Sequence, residues 1–192
     1  VTAHFPQRSD GHGITRSFCE YVKEASVVEG FEPVIITVDN GIAALDAATY
    51  CKEQGIPLIV TDHHEPQATL PDCVFCDPWT DRSSAGHDLA GVGVAWKVCM
   101  VIEDITGKGD VEKYIPYVAI GTVGDVMPMS KENASIVNMG LDMINSKKVK
   151  TLNTMMDFLG IKKMTAETIA WEIVSCLFQI FQQLPTMITI KS

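Results

Sequence analysis

Two short β-branched runs, separated by one helix-length segment, constrain this chain more than anything else in it. Val34-Ile35-Ile36-Thr37-Val38 runs into Asp39-Asn40-Gly41, and Leu58-Ile59-Val60-Thr61 runs into Asp62-His63-His64. Runs this short and this rich in Val and Ile read as buried strands. Between them, Ile42 to Gln54 holds Ala43, Ala44, Leu45, Ala47 and Ala48, which are strong helix formers. Gly55 stops that helix. Strand, helix, strand over this span is a βαβ unit, whose strands are parallel and whose crossover is right-handed. Both strands therefore finish at one edge of the sheet, where open α/β folds bind ligands. Asp39 and the Asp62-His63-His64 cluster are expected side by side there. A carboxylate with imidazoles suits a transition metal such as Mn²⁺, Fe²⁺ or Zn²⁺.

Each piece also has a plainer reading. Asp-Asn-Gly is ordinary turn chemistry, because Asn and Gly tolerate positive φ. Adjacent histidines after a strand also suit a partly exposed turn. Asp125 after Gly124 suits a turn that ends a helix. The coincidence of the first two motifs at βαβ spacing favours a site.

With 192 residues, 46% hydrophobic and 20% charged, a folded chain of one domain, or one domain with an appendage, is expected. A net charge of −9 argues against a duplex-binding module with a broad basic surface. It leaves room for a nuclease, since acidic metal ligands add to such a charge. No apolar stretch reaches the length needed to cross a bilayer, and no signal-peptide pattern opens the chain. The cysteines at 19, 51, 73, 76, 99 and 176 mostly sit in apolar runs, as small hydrophobes do. Cys73-Val74-Phe75-Cys76 has zinc-like spacing, but no second pair completes a four-ligand set. Free thiols fit a reducing cytosol, so a cytoplasmic location is expected.

Along the chain, Val1 to Phe5 reads as a strand. Thr15 caps a helix to Glu29, with Phe18, Val22 and Ala25 inward, and Gly30 ends it. Val74 to Asp77 is a further strand, and 79–88 a loop. Leu89 to Ile105 reads as a helix that begins through Gly91 and Gly93, with Val94, Ala95, Val98 and Val101 on its apolar face. Another covers Val111 to Ile120, with Tyr114, Ile115 and Val118 inward, leading into Gly121-Thr122-Val123-Gly124-Asp125-Val126. Ser130 caps a helix to about Ile144, and two helical patterns separated by Gly160 follow. The last dozen residues are apolar without a clear period. The expected architecture is α/β: a three-layer parallel-sheet domain over 1–147, then a mostly helical segment over 148–192.

Together these motifs form a set. Thr37-Val38-Asp39-Asn40-Gly41-Ile42, Thr61-Asp62-His63-His64 and Gly121-Thr122-Val123-Gly124-Asp125-Val126 resemble, in order and spacing, the DHH phosphoesterase superfamily. Pro6-Gln7-Arg8, Gly11-His12-Gly13-Ile14 and Leu89-Ala90-Gly91-Val92-Gly93-Val94-Ala95-Trp96-Lys97 resemble its RecJ-like branch of single-strand-specific exonucleases. The resemblance spans roughly residues 1–145. It implies two divalent ions, usually Mn²⁺ with Mg²⁺ as an alternative, at the carboxyl edge of the sheet. It implies that Asp39 bridges them, that His63 and Asp125 ligate one, and that His64 faces the scissile phosphate. Asp62 orients an imidazole, Arg8 binds substrate phosphate, and Gly91 and Gly93 open a helix whose free N–H groups face phosphate.

The resemblance also implies a substrate of single-stranded DNA, digested from the 5′ end in repair or recombination. A single-strand-binding protein or helicase would be a partner. Other substrates within the same chemistry are short oligonucleotides, cyclic dinucleotides or polyphosphate. A non-catalytic scaffold is the reading of another class, against which the intact Asp39, Asp62, His63, His64 and Asp125 argue. The family's opening Asp-x-Asp is absent and is expected upstream of Val1. This chain alone is therefore expected to bind one metal weakly and to be nearly inactive. Lys131-Glu132-Asn133-Ala134 follows a Glu-Asn-Arg pattern with Ala134 in place of Arg, and after about Val174 the resemblance, including the family's further substrate domain, is lost. Lys97 suits either a solvated helix position or a phosphate contact.

Overall fold

The computed structural model of the chain describes residues 1–5, 13–81, 83–181 and 187–189. The fold is α/β, in two compact units. One holds 1–87 together with 184–192, and the other holds 88–183.

In the first unit, β2 (Ile35–Val38), β3 (Leu58–Thr61) and β4 (Val74–Cys76) form a parallel sheet in that order. Val38 pairs with Thr61, and Thr61 with Cys76, so the three strands end level. A preceding helix, α1 (Arg16–Glu29), starts where the Thr15 hydroxyl accepts the Phe18 N–H at 3.3 Å, and it ends at Gly30 with φ 72°. Between β2 and β3 runs α2 (Leu45–Glu53), which packs against α1. Small residues let these layers approach closely: Ala47, Ala48 and Cys51 of α2 and Cys19 of α1 are buried with Ile35, Leu58 and Val60 of the strands. The alternate positions Ile36, Val38 and Val74 are exposed. That alternation is the period-two signature of strands with one packed face. Apart from this sheet, β1 (Thr2–His4) pairs antiparallel with β5 (Met187–Thr189). The pairing gives a role to part of the tail in which no period is legible.

The second unit is helical: α3 (Gly91–Thr106), α4 (Ile115–Gly124), α5 (Lys131–Asn145), α6 (Lys150–Leu159), α7 (Ala166–Thr168) and α8 (Val174–Phe181), with a π turn at Ile169–Ile173. The centre is α4, almost wholly apolar and buried at Ile115, Val118, Ala119, Ile120 and Thr122. A helix apolar all round belongs inside. Ile144 of α5 shares a core with Val149, Leu152 and Met156. The change of character expected at 147–148 therefore lies inside this unit.

Several expectations in this unit need correction. The helix expected over 111–120 divides into a 3₁₀ turn at Val111–Tyr114 and α4, and α4 runs on through Gly121 to Gly124. Tyr114 faces outward at the turn, and Val101 is exposed on α3. Trp96 is only half-buried, because its indole N–H reaches the rim and donates to Val111 O at 3.0 Å. Its truncation should therefore cost less than the ~3–5 kcal/mol of a fully buried ring.

The closest helix packing is at Gly140 of α5, where an added Cβ would lie 2.4 Å from Ala119 Cβ and 3.1 Å from Ile115 O. Gly140→Ala should therefore destabilise by roughly 1–3 kcal/mol despite the better helix propensity of Ala. Urea denaturation checks this, and an unchanged or raised midpoint would contradict the packing described.

Candidate metal centre

The site begins in the turn after β2. The Asp39 N–H continues the ladder by donating to Thr61 O at 2.9 Å. The Thr37 hydroxyl donates to Asn40 O at 2.6 Å, and Asn40 Nδ2 donates to Val38 O at 2.9 Å. Asn40 Oδ1 accepts the Ile14 N–H at 3.0 Å, tying the segment before α1 to the same turn. Gly41 has φ 115°, and a Cβ there would lie 2.9 Å from Thr37 Oγ1 and 3.0 Å from Val60 Cγ2. Only glycine fits both demands. Asp39 itself has φ 65°. A non-glycine residue held left-handed is strained by about 1–3 kcal/mol, a state that recurs at functional sites.

The turn after β3 is organised by Asp62, which is 1% exposed. Its Oδ2 accepts the Ile42 N–H at 2.9 Å, and Oδ1 accepts the His63 N–H at 2.8 Å. The same Oδ1 lies 2.7 Å from His64 Nδ1. A buried carboxylate is tolerable when N–H donors surround it in this way. The bond to Ile42 joins the two turns, and the bond to the imidazole fixes His64, the ring that Asp62 orients. His63 is buried and places Nε2 3.0 Å from Asp39 Oδ1. The His63 and His64 rings meet edge-on with centroids 4.5 Å apart.

Asp39, His63 and His64 thus each present a ligand atom, all within 4.8 Å of one another. Asp39 and His64 are open to solvent and His63 is the buried wall. One carboxylate and two imidazoles, with an open side, fit a divalent transition metal.

Asp77, which follows β4, completes a row of aspartates at the ends of three adjacent strands. It is 5% exposed, and its Oδ1 accepts the Trp79 N–H at 2.9 Å. Its Oδ2 has no hydrogen-bond partner among the described residues. Burial pushes its carboxyl above the usual range; the Trp79 N–H opposes that shift and the Asp62 charge adds to it. Nothing in the motifs marked this residue, although its position just past a strand end, like that of Asp39 and Asp62, was a usable signal.

The other sequence candidates are Arg8, Asp125, Gly91 and Gly93. Arg8 is outside the described residues. Asp125, Gly91 and Gly93 belong to the second unit. Asp125 caps α4, its N–H donating to Gly121 O at 2.9 Å, and Val126 after it has φ 56°. A β-branched residue in that region is a marked outlier. At the start of α3 the N-cap residue, Ala90, provides no side-chain cap for the first N–H groups, and a Cβ on Gly93 would lie 3.2 Å from Leu89 Cδ2. Lys97 pairs with Glu132 at 2.5 Å.

The strain at Asp39 yields a test that needs no metal. Asp39→Ala and Asp39→Gly both remove the carboxylate, but only glycine is at ease at this φ. The glycine variant should be the more stable by about 1 kcal/mol, the reverse of the usual order. Thermal unfolding of the two proteins reads the difference, and an alanine variant of equal or greater stability would contradict the strain.

Residues 1–122 match the DHH family, N-terminal domain. The single-stranded-DNA-specific exonuclease RecJ of Bacillus subtilis is 32% identical over 179 residues, which cover 90% of this chain and 22% of that protein. RecJ of Salmonella typhimurium is 32% identical over 154 residues, covering 73% of this chain and 26% of its own length. A crystal structure of exonuclease RecJ bound to manganese superposes with a TM-score of 0.76 at 27% identity, over 88% of this chain and 42% of the other. RecJ from Thermus thermophilus in complex with Mn²⁺ gives 0.71 at 26% identity, over 84% of this chain and 24% of the other. The chain spans about a quarter of the length of the curated relatives it matches. With the Asp-Asn-Gly and Asp-His-His turns set level at the ends of parallel strands, the chain belongs to the DHH family.

Proposed function

We propose that this chain is part of a divalent-metal-dependent phosphoesterase that degrades single-stranded DNA from its 5′ end, in repair or recombination. The observation that carries the reading is the Asp39, His63 and His64 cluster at the carboxyl edge of the sheet. Its support is the likeness to RecJ proteins named as single-stranded-DNA-specific exonucleases and crystallised with Mn²⁺. Mn²⁺ is the proposed ion, with Mg²⁺ as the alternative.

In this reading Asp39 and His63 hold metal, and Asp125 is a further ligand on the family pattern. Bound divalent ions activate water and stabilise the leaving oxygen of a phosphodiester. Asp62 keeps His64 oriented through Nδ1, which leaves Nε2 of an exposed ring to hydrogen-bond a phosphate oxygen. Buried His63 excludes water from the inner side of the pair. The free N–H groups opening α3 at Gly91 are suited to a substrate phosphate, and Gly93 allows the close packing behind them. Arg8 offers a planar fork for another. A single-strand-binding protein or helicase would present the strand in the cell.

Two kinds of variant separate direct metal contact from orientation. In the full-length protein, Asp39→Ala should abolish Mn²⁺-dependent release of nucleotides from a 5′-labelled oligonucleotide. Asp62→Asn should lower metal affinity or turnover by roughly 10–100-fold. EDTA should stop the reaction and added Mn²⁺ restore it. Wild-type turnover by Asp39→Ala would refute the metal assignment. Cleavage of dinucleotides but not of long strands would redirect the substrate to short phosphodiesters.

A further inference from the structure

We propose that Asn133 is a positioning residue, holding the loop that follows Asp125 against the segment that leads into α3. Asn133 is fully buried on α5, yet it carries no charge or apolar surface that would explain its place in a core. Its side-chain amide spends both N–H groups on backbone carbonyls from two different segments. Nδ2 donates to Asp88 O at 2.7 Å and to Pro128 O at 2.8 Å. Asp88 lies just before the glycine start of α3, and Pro128 lies just after Asp125. Oδ1 is buried with no partner among the described residues. Leaving a buried acceptor unmet is destabilising. A residue kept at that cost is explained by what its donors hold.

The two segments need holding. Val126 is strained at φ 56°, and the loop's own backbone ties are Val126 N–H to Val123 O at 3.1 Å, Met127 N–H to Thr122 O at 3.3 Å and Ser130 N–H to Pro128 O at 2.8 Å. At α3, Gly93 N–H and Val94 N–H both turn back to Ala90 O, and the N-cap residue, Ala90, provides no side-chain cap. The neighbouring residue Glu132 pairs with Lys97 of α3, a further tie between α5 and that region. Among the described residues, the buried amide is thus the one side chain that bonds both segments, and it holds the spacing between Asp125 and the first N–H groups of α3. The functional consequence rests on the reading above, in which one binds metal and the others bind phosphate.

Asn153 is a built-in control. It too is a buried amide in the helical unit, donates Nδ2 to Ile144 O at 2.8 Å, and has a partnerless Oδ1 among the described residues. It touches neither segment by these bonds. The experiment compares wild type, Asn133→Ala, Asn133→Asp and Asn153→Ala in the full-length protein, well below their unfolding temperatures. Backbone hydrogen exchange should speed at least tenfold over 126–130 and 91–94 in Asn133→Ala, and in neither segment in Asn153→Ala. For Mn²⁺-dependent hydrolysis of oligothymidylate, kcat/KM should fall at least tenfold in Asn133→Ala, while Asn153→Ala stays within twofold at a similar loss of Tm. Asn133→Asp, which keeps the shape and loses both donors, should behave as Asn133→Ala. Unchanged exchange in both segments would overturn the clamp. Equal losses of kcat/KM in Asn133→Ala and Asn153→Ala would overturn its positioning role. A wild type that lacks hydrolysis while exchange responds as expected would defeat the proposed function and leave the clamp standing.

Discussion

The carboxylate of Asp62 is the interaction on which the site depends. It is buried at the end of β3, where an unpaired charge would be prohibitive, and its acceptors are met by the Ile42 N–H, the His63 N–H and the His64 imidazole. One group thereby joins the turn after β2 to the turn after β3 and fixes one histidine ring. The level ends of the parallel strands make this possible, since Val38 and Thr61 are paired. Asp39 can then meet His63 without any long-range adjustment. The first turn is braced separately by Thr37 and Asn40, so both turns that carry the candidate ligands are held by side-chain hydrogen bonds.

That arrangement is accompanied by local backbone strain. Asp39 and Val126, one a candidate ligand and the other adjacent to a candidate ligand, both sit at positive φ. At most other positions with such angles the chain places glycine, as at Gly30, Gly55 and Gly160, with Lys147 the exception among the described residues. The helices around these points are packed without comparable strain: α4 is buried on nearly every side, and Gly140 lets α5 close against it. Of the three non-glycine residues at positive φ among the described residues, two lie at or beside candidate ligands, and the third, Lys147, follows the end of α5.

What was legible in the sequence followed from local rules. The β-branched runs at 34–38 and 58–61 became paired strands, and Thr15 and Gly30 bounded α1, because strand packing and capping act over a few residues. Asp39 and the Asp-His-His turn could be placed together because a βαβ crossover has one hand and one polarity. What escaped depends on partners far along the chain. Tyr114 faces out because its residues turn as 3₁₀ before α4 begins. Trp96 stays half-buried because its N–H reaches Val111 O. The pairing of β1 with β5 joins opposite ends of the chain, which no periodicity reports. Asp77 belongs to no motif, so only its place just past a strand end was readable; its burial, and an Oδ2 without a partner among the described residues, are visible only in three dimensions.

The central claim is that Asp39 and His63 hold a divalent metal at the carboxyl edge of the sheet. Anomalous diffraction at the manganese edge, from crystals soaked in MnCl₂, tests it most directly. The account predicts a peak bonded to the Asp39 carboxylate and the His63 imidazole. Manganese peaks elsewhere, with both side chains ordered and unliganded, would contradict it.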